Sequence, residues 1–183
     1  MTPAEFAMHP PLDPLLEIGA RLDRAGIVWA LGGSGLLLAL GLVDRANDWD
    51  LTCGEPADRV ATIFEDIAHE RSGASGVHAD EKIVFTAERT ELICRFAFFT
   101  PAGVTRIPTL VSARWRGVPL VSPEAWAAAY ALMGELESSA QRRERGQVLF
   151  THLARTGANR EVVEQLLEQP LTPWVRARLR ELL

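Results

Sequence analysis

Asp48 and Asp50 stand one residue apart in Asp48-Trp49-Asp50-Leu51-Thr52-Cys53, a run in which polar and apolar positions alternate. Alternation with period two marks a strand, and it puts Asp48, Asp50 and Thr52 on one face and Trp49, Leu51 and Cys53 on the other. The two carboxylates then lie about 6–7 Å apart at their Cα atoms. Bare carboxylates at that spacing repel, so one holds its proton unless a cation sits between them. Strand interiors disfavour Asp, and two in a row of three need a reason. Hard oxygen ligands of this kind suit Mg²⁺, with a substrate's phosphates completing the octahedron.

Upstream, Leu31-Gly32-Gly33-Ser34 ends one apolar run and opens another. Glycines allow a ligand to approach the backbone, and free N–H groups at a helix start suit a phosphate. Downstream, Glu91 begins a further strand with its side chain on the side of Ile93 and Arg95. If that strand neighbours the acidic one, Glu91 supplies a third carboxylate, as a second metal ligand or a general base. Phosphate nest, acidic pair and later acid together fit metal-assisted attack on a nucleoside triphosphate.

The elements that must position these residues follow from pattern. A Pro-rich lead-in covers residues 1–12. Leu15, Ile18, Leu22 and Ala25 recur at helical spacing, giving a helix over Asp13–Ala25 that Gly26 ends. Ile27–Leu31 reads as a buried strand, Gly35–Leu42 as a buried helix with Ser34 as its cap, and Asp48–Cys53 as the acidic strand. Val60, Ile63, Phe64 and Ile67 form the stripe of a further helix. Residues 72–81 read as a Ser/Gly-rich loop holding His78, for which the sequence names no partner. Lys82–Thr86 and Glu91–Phe99 read as strands joined by a turn over residues 87–90. Residues 104–121 hold β-compatible segments around Val111 and Val118, turning at Arg116-Gly117. Ser122-Pro123-Glu124 opens a helix with a cap, a proline at the first position and an acid in the first turn. From there the pattern is helical to the end, interrupted at Gly157 and Pro170–Pro173. The expected fold is therefore α+β: a small mixed β-sheet with packed helices over residues 1–121, then a helical C-terminal segment over 122–183.

Composition narrows the function classes. The chain has 183 residues, 48% hydrophobic and 23% charged, with a net charge of −5. Residues 1–100 carry 8 Lys and Arg against 16 Asp and Glu, while residues 101–183 carry 11 against 8. An acidic chain is poorly suited to gripping an extended nucleic acid. Cys53 and Cys94 lie in apolar runs and read as buried free thiols. The apolar stretch Gly35–Val43 is too short to span a bilayer. The N-terminal run lacks a basic segment before an apolar core, so a soluble, cytoplasmic protein is expected. Trp49 and Trp126 read as core. Arg142-Arg143-Glu144-Arg145 reads as a solvated helix face, with substrate or nucleic-acid contact as the alternative. Arg45 either binds phosphate or pairs with Asp44 or Asp48.

Leu31-Gly32-Gly33-Ser34, Asp48-Trp49-Asp50 and Glu91 occur in the order that marks the nucleotidyltransferase superfamily with the DNA polymerase β palm fold, which this sequence resembles. With Arg45 shortly before the acidic pair and a helical C-terminal segment, it is most similar to the small bacterial branch. That branch holds the aminoglycoside and lincosamide nucleotidyltransferases and the toxin-type enzymes. The resemblance implies a nucleoside triphosphate, ATP first, as co-substrate with Mg²⁺. It implies Asp48, Asp50 and Glu91 as catalytic metal ligands, and Gly32, Gly33, Ser34 and Arg45 as nucleotide-binding residues. Many relatives place a helical Lys on the triphosphate. Lys82 is the only lysine here, which leaves that contact to an Arg such as Arg142 or Arg143. A hydroxyl-bearing acceptor completes the reaction, and the apolar C-terminal stripes allow a homodimer. The alternatives are a degenerate fold that binds a nucleotide or a protein partner, and a toxin-type enzyme acting on tRNA or protein.

Overall fold

The computed structural model describes residues 9–183; the lead-in at residues 1–8 lies outside the described residues. Helix α1 (Leu12–Arg24) buries Leu15, Ile18 and Leu22, the stripe its spacing calls for. It ends at Ala25 and Gly26, the latter at φ +68°. Gly19 lets α1 lie directly on strand β1 (Trp29–Leu31), because a Cβ there would fall on the Trp29 indole.

Helix α2 (Gly33–Ala39) follows, then β2 (Trp49–Cys53), α3 (Ala57–Ala61) and a 3₁₀ turn at Thr62–Phe64. Next come β3 (Glu70–Ser72), β4 (Glu81–Phe85) and β5 (Thr90–Cys94), the hairpin of β6 (Ala97–Thr100) and β7 (Gly103–Arg106), then β8 (Val111–Trp115) and β9 (Val118–Val121). Seven strands form one mixed sheet in the order β3-β4-β5-β2-β1-β9-β8, and β6 and β7 pair separately. In its centre β1 runs antiparallel to β2 and parallel to β9, while β2 runs parallel to β5.

Three expectations are corrected. Ser34 is not a cap: α2 starts at Gly33, Gly32 is its N-cap without a side chain, and Ser34 lies buried inside the first turn. The single strand expected over Glu91–Phe99 breaks at Arg95, whose φ of +55° turns the chain out of the large sheet and into the β6–β7 hairpin. The loop over 72–81 is not wholly irregular, since β3 adds an edge strand up to Ser72 and His78 bridges to Phe98.

The C-terminal helices are α4 (Pro123–Leu136), α5 (Ala140–Thr156), α6 (Arg160–Leu167) and α7 (Pro173–Arg180). Each is capped by a side chain: Ser122, Ser139, Asn159 and Thr172 accept from first-turn N–H groups, each cap contributing about 1 kcal/mol. Helix α4 is buried almost all round, with α5, α6 and α7 packed against it. One hydrophobic cluster runs from α1 through the sheet to α7. No helix among the described residues is long and apolar enough to cross a membrane.

Candidate active site

The register of β2 and β5 decides the geometry. Asp50 pairs with Glu91, and two residues along Thr52 pairs with Ile93. Parallel strands in register put paired side chains on one face, so Asp50 and Glu91 are cross-strand neighbours, as the sequence required only conditionally. Asp48 precedes β2 and is exposed.

Burial pushes the Asp50 carboxyl up to about 6, with the charges of Asp48 and then Glu91 adding to it; Lys82 and Arg142 oppose the rise. The like charges add the repulsion anticipated for a bare acidic pair to the larger effect of burial. Lys82, on β4, donates to Glu91 Oε2 at 3.0 Å.

The Gly-Gly step is fitted to Asp50 from above. The Gly32 N–H donates to the Asp50 carbonyl at 2.8 Å. A Cβ on Gly32 would land on the Trp126 ring, and one on Gly33 would land on the Asp50 carboxylate. Gly33 also sits at φ +57°, the left-handed region that favours glycine. No other residue gives that loop both its conformation and its contact with Asp50.

Helix α5 brings Arg142 close enough for its charge to act on Asp50, with its guanidinium 5.8 Å from the Tyr130 ring centroid. Arg143 faces elsewhere, its Nε donating to the Gly134 carbonyl at 2.9 Å. Arg45 is exposed and in no ion pair among the described residues. The other residues singled out in the sequence are structural. Trp49 is fully buried and donates from Nε1 to the Pro11 carbonyl, Trp126 is buried against Gly32, and Glu124 is buried with both oxygens satisfied. Cys53 and Cys94 are free and buried, facing each other across β2 and β5 with sulfurs 3.8 Å apart.

Two groups escaped the sequence reading. Lys82 was legible as the only lysine, but its bond to Glu91 depends on the β4–β5 register. His78 lies between buried Asp80, 3.4 Å from Nδ1, and Glu137, 2.7 Å from Nε2, and Glu137 is too distant in sequence to suggest the pairing.

Among the described residues no three His, Cys, Asp or Glu side chains stand at metal-ligand spacing. The donor set nevertheless suits a hard divalent ion: Asp48 and Asp50 offer only oxygen, and a cation beside them would offset the burial and like charge that raise Asp50. Glu91 could join them only by exchanging its bond to Lys82.

No family model matches the chain. No curated protein matches it either. Solved structures do. The solution structure of the antibiotic-resistance factor ANT(2'')-Ia is 20% identical, covers 91% of this chain and 89% of its own, and superposes with a TM-score of 0.54. A Thermotoga maritima protein described as a nucleotidyltransferase is 19% identical over 73% of this chain and 90% of its own, with a TM-score of 0.56. The crystal structure of ANT(2'')-Ia in complex with adenylyl-2''-tobramycin is 17% identical over 93% of this chain and 97% of its own, with a TM-score of 0.55. The α+β fold of this chain, with its C-terminal helices, is the nucleotidyltransferase fold.

Proposed function

We propose that this chain, folded as a nucleotidyltransferase, is a metal-dependent enzyme that moves a nucleoside monophosphate from a nucleoside triphosphate, ATP first, to a hydroxyl-bearing acceptor and releases pyrophosphate. The observation that carries the reading is Asp50, its carboxyl pushed up to about 6 between Asp48 and Glu91 beneath a glycine that leaves it just enough room. A half-buried carboxylate in that state favours a cation, and a triphosphate brings one.

Asp48 and Asp50 would hold Mg²⁺, which when bound supplies charge neutralisation at the triphosphate. The backbone of Gly33 and Ser34 offers N–H groups to the β- and γ-phosphates, and Gly32, whose own N–H is taken by the Asp50 carbonyl, lets them approach by lacking a side chain. Arg45 and Arg142 add positive charge, Arg142 taking the place of the lysine that many relatives carry. Glu91 either completes the metal site or accepts the proton of the acceptor hydroxyl. In the second role the acceptor oxygen bonds to the α-phosphorus, its proton passes to the Glu91 carboxylate, and the bond to the pyrophosphate oxygen breaks. Residues 1–121 form the transferring unit in this reading, and residues 122–183 supply the acceptor wall and Arg142. A cytoplasmic setting and a homodimer through the C-terminal stripes belong to the same proposal.

Calorimetric titration of ATP, GTP and CTP with and without Mg²⁺, on wild type and Asp50→Ala, tests it. The expected result is Mg²⁺-dependent binding that disappears in the variant. Equal binding by both proteins would refute it.

One observation favours a second reading, a nucleotide-binding protein without transfer: the Glu91 carboxylate is already engaged by Lys82. Glu91→Gln separates the two. Turnover collapses while ATP binding survives if the chain is an enzyme, and there is no turnover to lose if it is a binder.

A further inference from the structure

Where β2 and β5 end, a second cavity of about 380 Å³ opens between the β6–β7 hairpin and α6, and none of its walls is a residue named for the triphosphate. Arg95 and Arg106 face it from the hairpin side, Gln165 and Gln169 from the helix side, and Phe96 and Ile107 give it an apolar wall. No Asp or Glu lines it.

Arg21, Arg59, Arg71, Arg160 and Arg178 are each bound to a carboxylate. Arg95 and Arg106 are in no ion pair among the described residues, although the chain carries five more acidic than basic side chains.

Hydrogen bonds fix the backbone at both arginines, whose side chains are exposed. Arg95 adopts φ +55°, a conformation that costs a residue with a Cβ about 1 kcal/mol or more. Its N–H donates to the Cys53 carbonyl at 2.9 Å, which ties the turn to the end of β2. The Arg106 N–H donates to Gln169 Oε1 at 3.0 Å, which ties the hairpin to the end of α6 and leaves the Gln169 NH₂ as a free donor. Gln165 is one helical turn earlier, on the same face. The lining therefore offers chiefly donors, the Arg95 and Arg106 guanidinium groups and the Gln169 NH₂, beside the Gln165 amide and the Thr109 hydroxyl.

We infer that this cavity is a binding site for a small organic anion, with its acid group on Arg95 and Arg106 and its apolar body against Phe96 and Ile107. The volume is in the range of small-ligand pockets, about 300–1,000 Å³. Paired guanidinium forks recognise carboxylate and phosphate alike through two parallel hydrogen bonds. The site stands on its own walls and does not depend on the transfer reading. Phe96 packs on Trp126 with ring centroids 5.1 Å apart, and Trp126 backs Gly32, so an aromatic partition separates the cavity from the Gly32-Gly33 loop.

The test is titration of the full chain with benzoate and with phenyl phosphate, followed by ligand-observed NMR, on wild type, Arg106→Gln, Arg95→Asn and Asp50→Ala. Asn tolerates the left-handed backbone at position 95, and thermal melts establish that each variant folds. At least one probe should bind wild type and Asp50→Ala alike, and about tenfold more weakly to either arginine variant, as expected for loss of a charge-assisted bond. The preferred probe distinguishes a carboxylate from a phosphate ligand. Three results would overturn the inference: neither probe binding into the millimolar range, binding kept in both arginine variants, or binding lost in Asp50→Ala, which would move the anion to the triphosphate site.

Discussion

Two carboxylates of this molecule, Glu124 buried and Asp50 half-buried, have opposite surroundings. Glu124, at the start of α4, accepts from the Ser122 hydroxyl at 2.8 Å and from the Asn159 N–H at 2.7 Å, so both its oxygens are satisfied and it joins α4 to α6. Asp50, in the sheet, faces two other carboxylates and is held near pKa 6 by burial and their charge. The first lies among four side-chain-capped helices; the second lies under a left-handed glycine. A buried acid surrounded by donors is a fastener. A half-buried acid beside like charges is costly to ionise, a cost that a bound cation would relieve.

Substitutions can break this contrast. The largest effect is expected from Gly33→Ala, because the new Cβ meets the Asp50 carboxylate and the backbone is left-handed. It should lower stability by about 2–4 kcal/mol and abolish Mg²⁺-dependent nucleotide binding. Gly157→Ala is the control: it shares a positive φ, but nothing lies within reach of its Cβ, so it should cost only about 1–2 kcal/mol. Urea unfolding of both variants decides the matter.

Asp50→Asn and Glu124→Gln should then move stability in opposite directions. An acid whose folded pKa is raised loses stability as pH climbs from its unfolded value through its folded one, here from 3.8 to about 6. Asp50→Asn removes that slope and should gain on the order of 1–3 kcal/mol at pH 7, while losing metal-dependent binding. Glu124→Gln keeps its size but puts an NH₂ group against one of its two donors, and should lose about 1–3 kcal/mol. Denaturation curves at pH 4 and pH 7 give both signs in one experiment.

The smallest effect concerns His78, which sharpens the comparison by joining the two regions. Its imidazole is held above its ordinary value, chiefly by Asp80, with burial opposing and Glu137 adding. A base with a raised folded pKa contributes stability that is complete below its unfolded value and lost as pH rises through the folded one. The loop before β4 and the end of α4 should therefore be held together best in mild acid. His78→Gln should remove this pH dependence, as read by amide exchange at residues 75–80.

The placement of the candidate site's residues was legible where it depends on local pattern. Asp48-x-Asp50 alternates, Gly32-Gly33 breaks a strand, and Ser122-Pro123-Glu124 opens a helix, all through interactions a few residues long. What depends on register was not. That Glu91 meets Asp50 follows from parallel pairing of β2 with β5, and that Lys82 reaches Glu91 follows from antiparallel pairing of β4 with β5. The choice of Arg142 over Arg143 is set by how α5 lies on α4. Arg95 was misread because nothing in Glu91–Phe99 marks a left-handed residue: no glycine or asparagine stands where the chain turns.

The sheet order has a consequence for how the chain is made. Strand β1, which leads into the Gly32-Gly33 loop, is flanked by β2 on one side and by β9 on the other, and β9 is formed by Val118–Val121. During synthesis the outer edge of β1 stays open until those residues emerge, and Trp126, which backs Gly32, comes later still. Distant parallel pairings form slowly. The Gly32-Gly33 loop is among the first parts translated and among the last to become rigid, so a nascent chain halted before residue 118 should expose an unpaired strand edge, the kind of surface that chaperones cover and that aggregates if they do not.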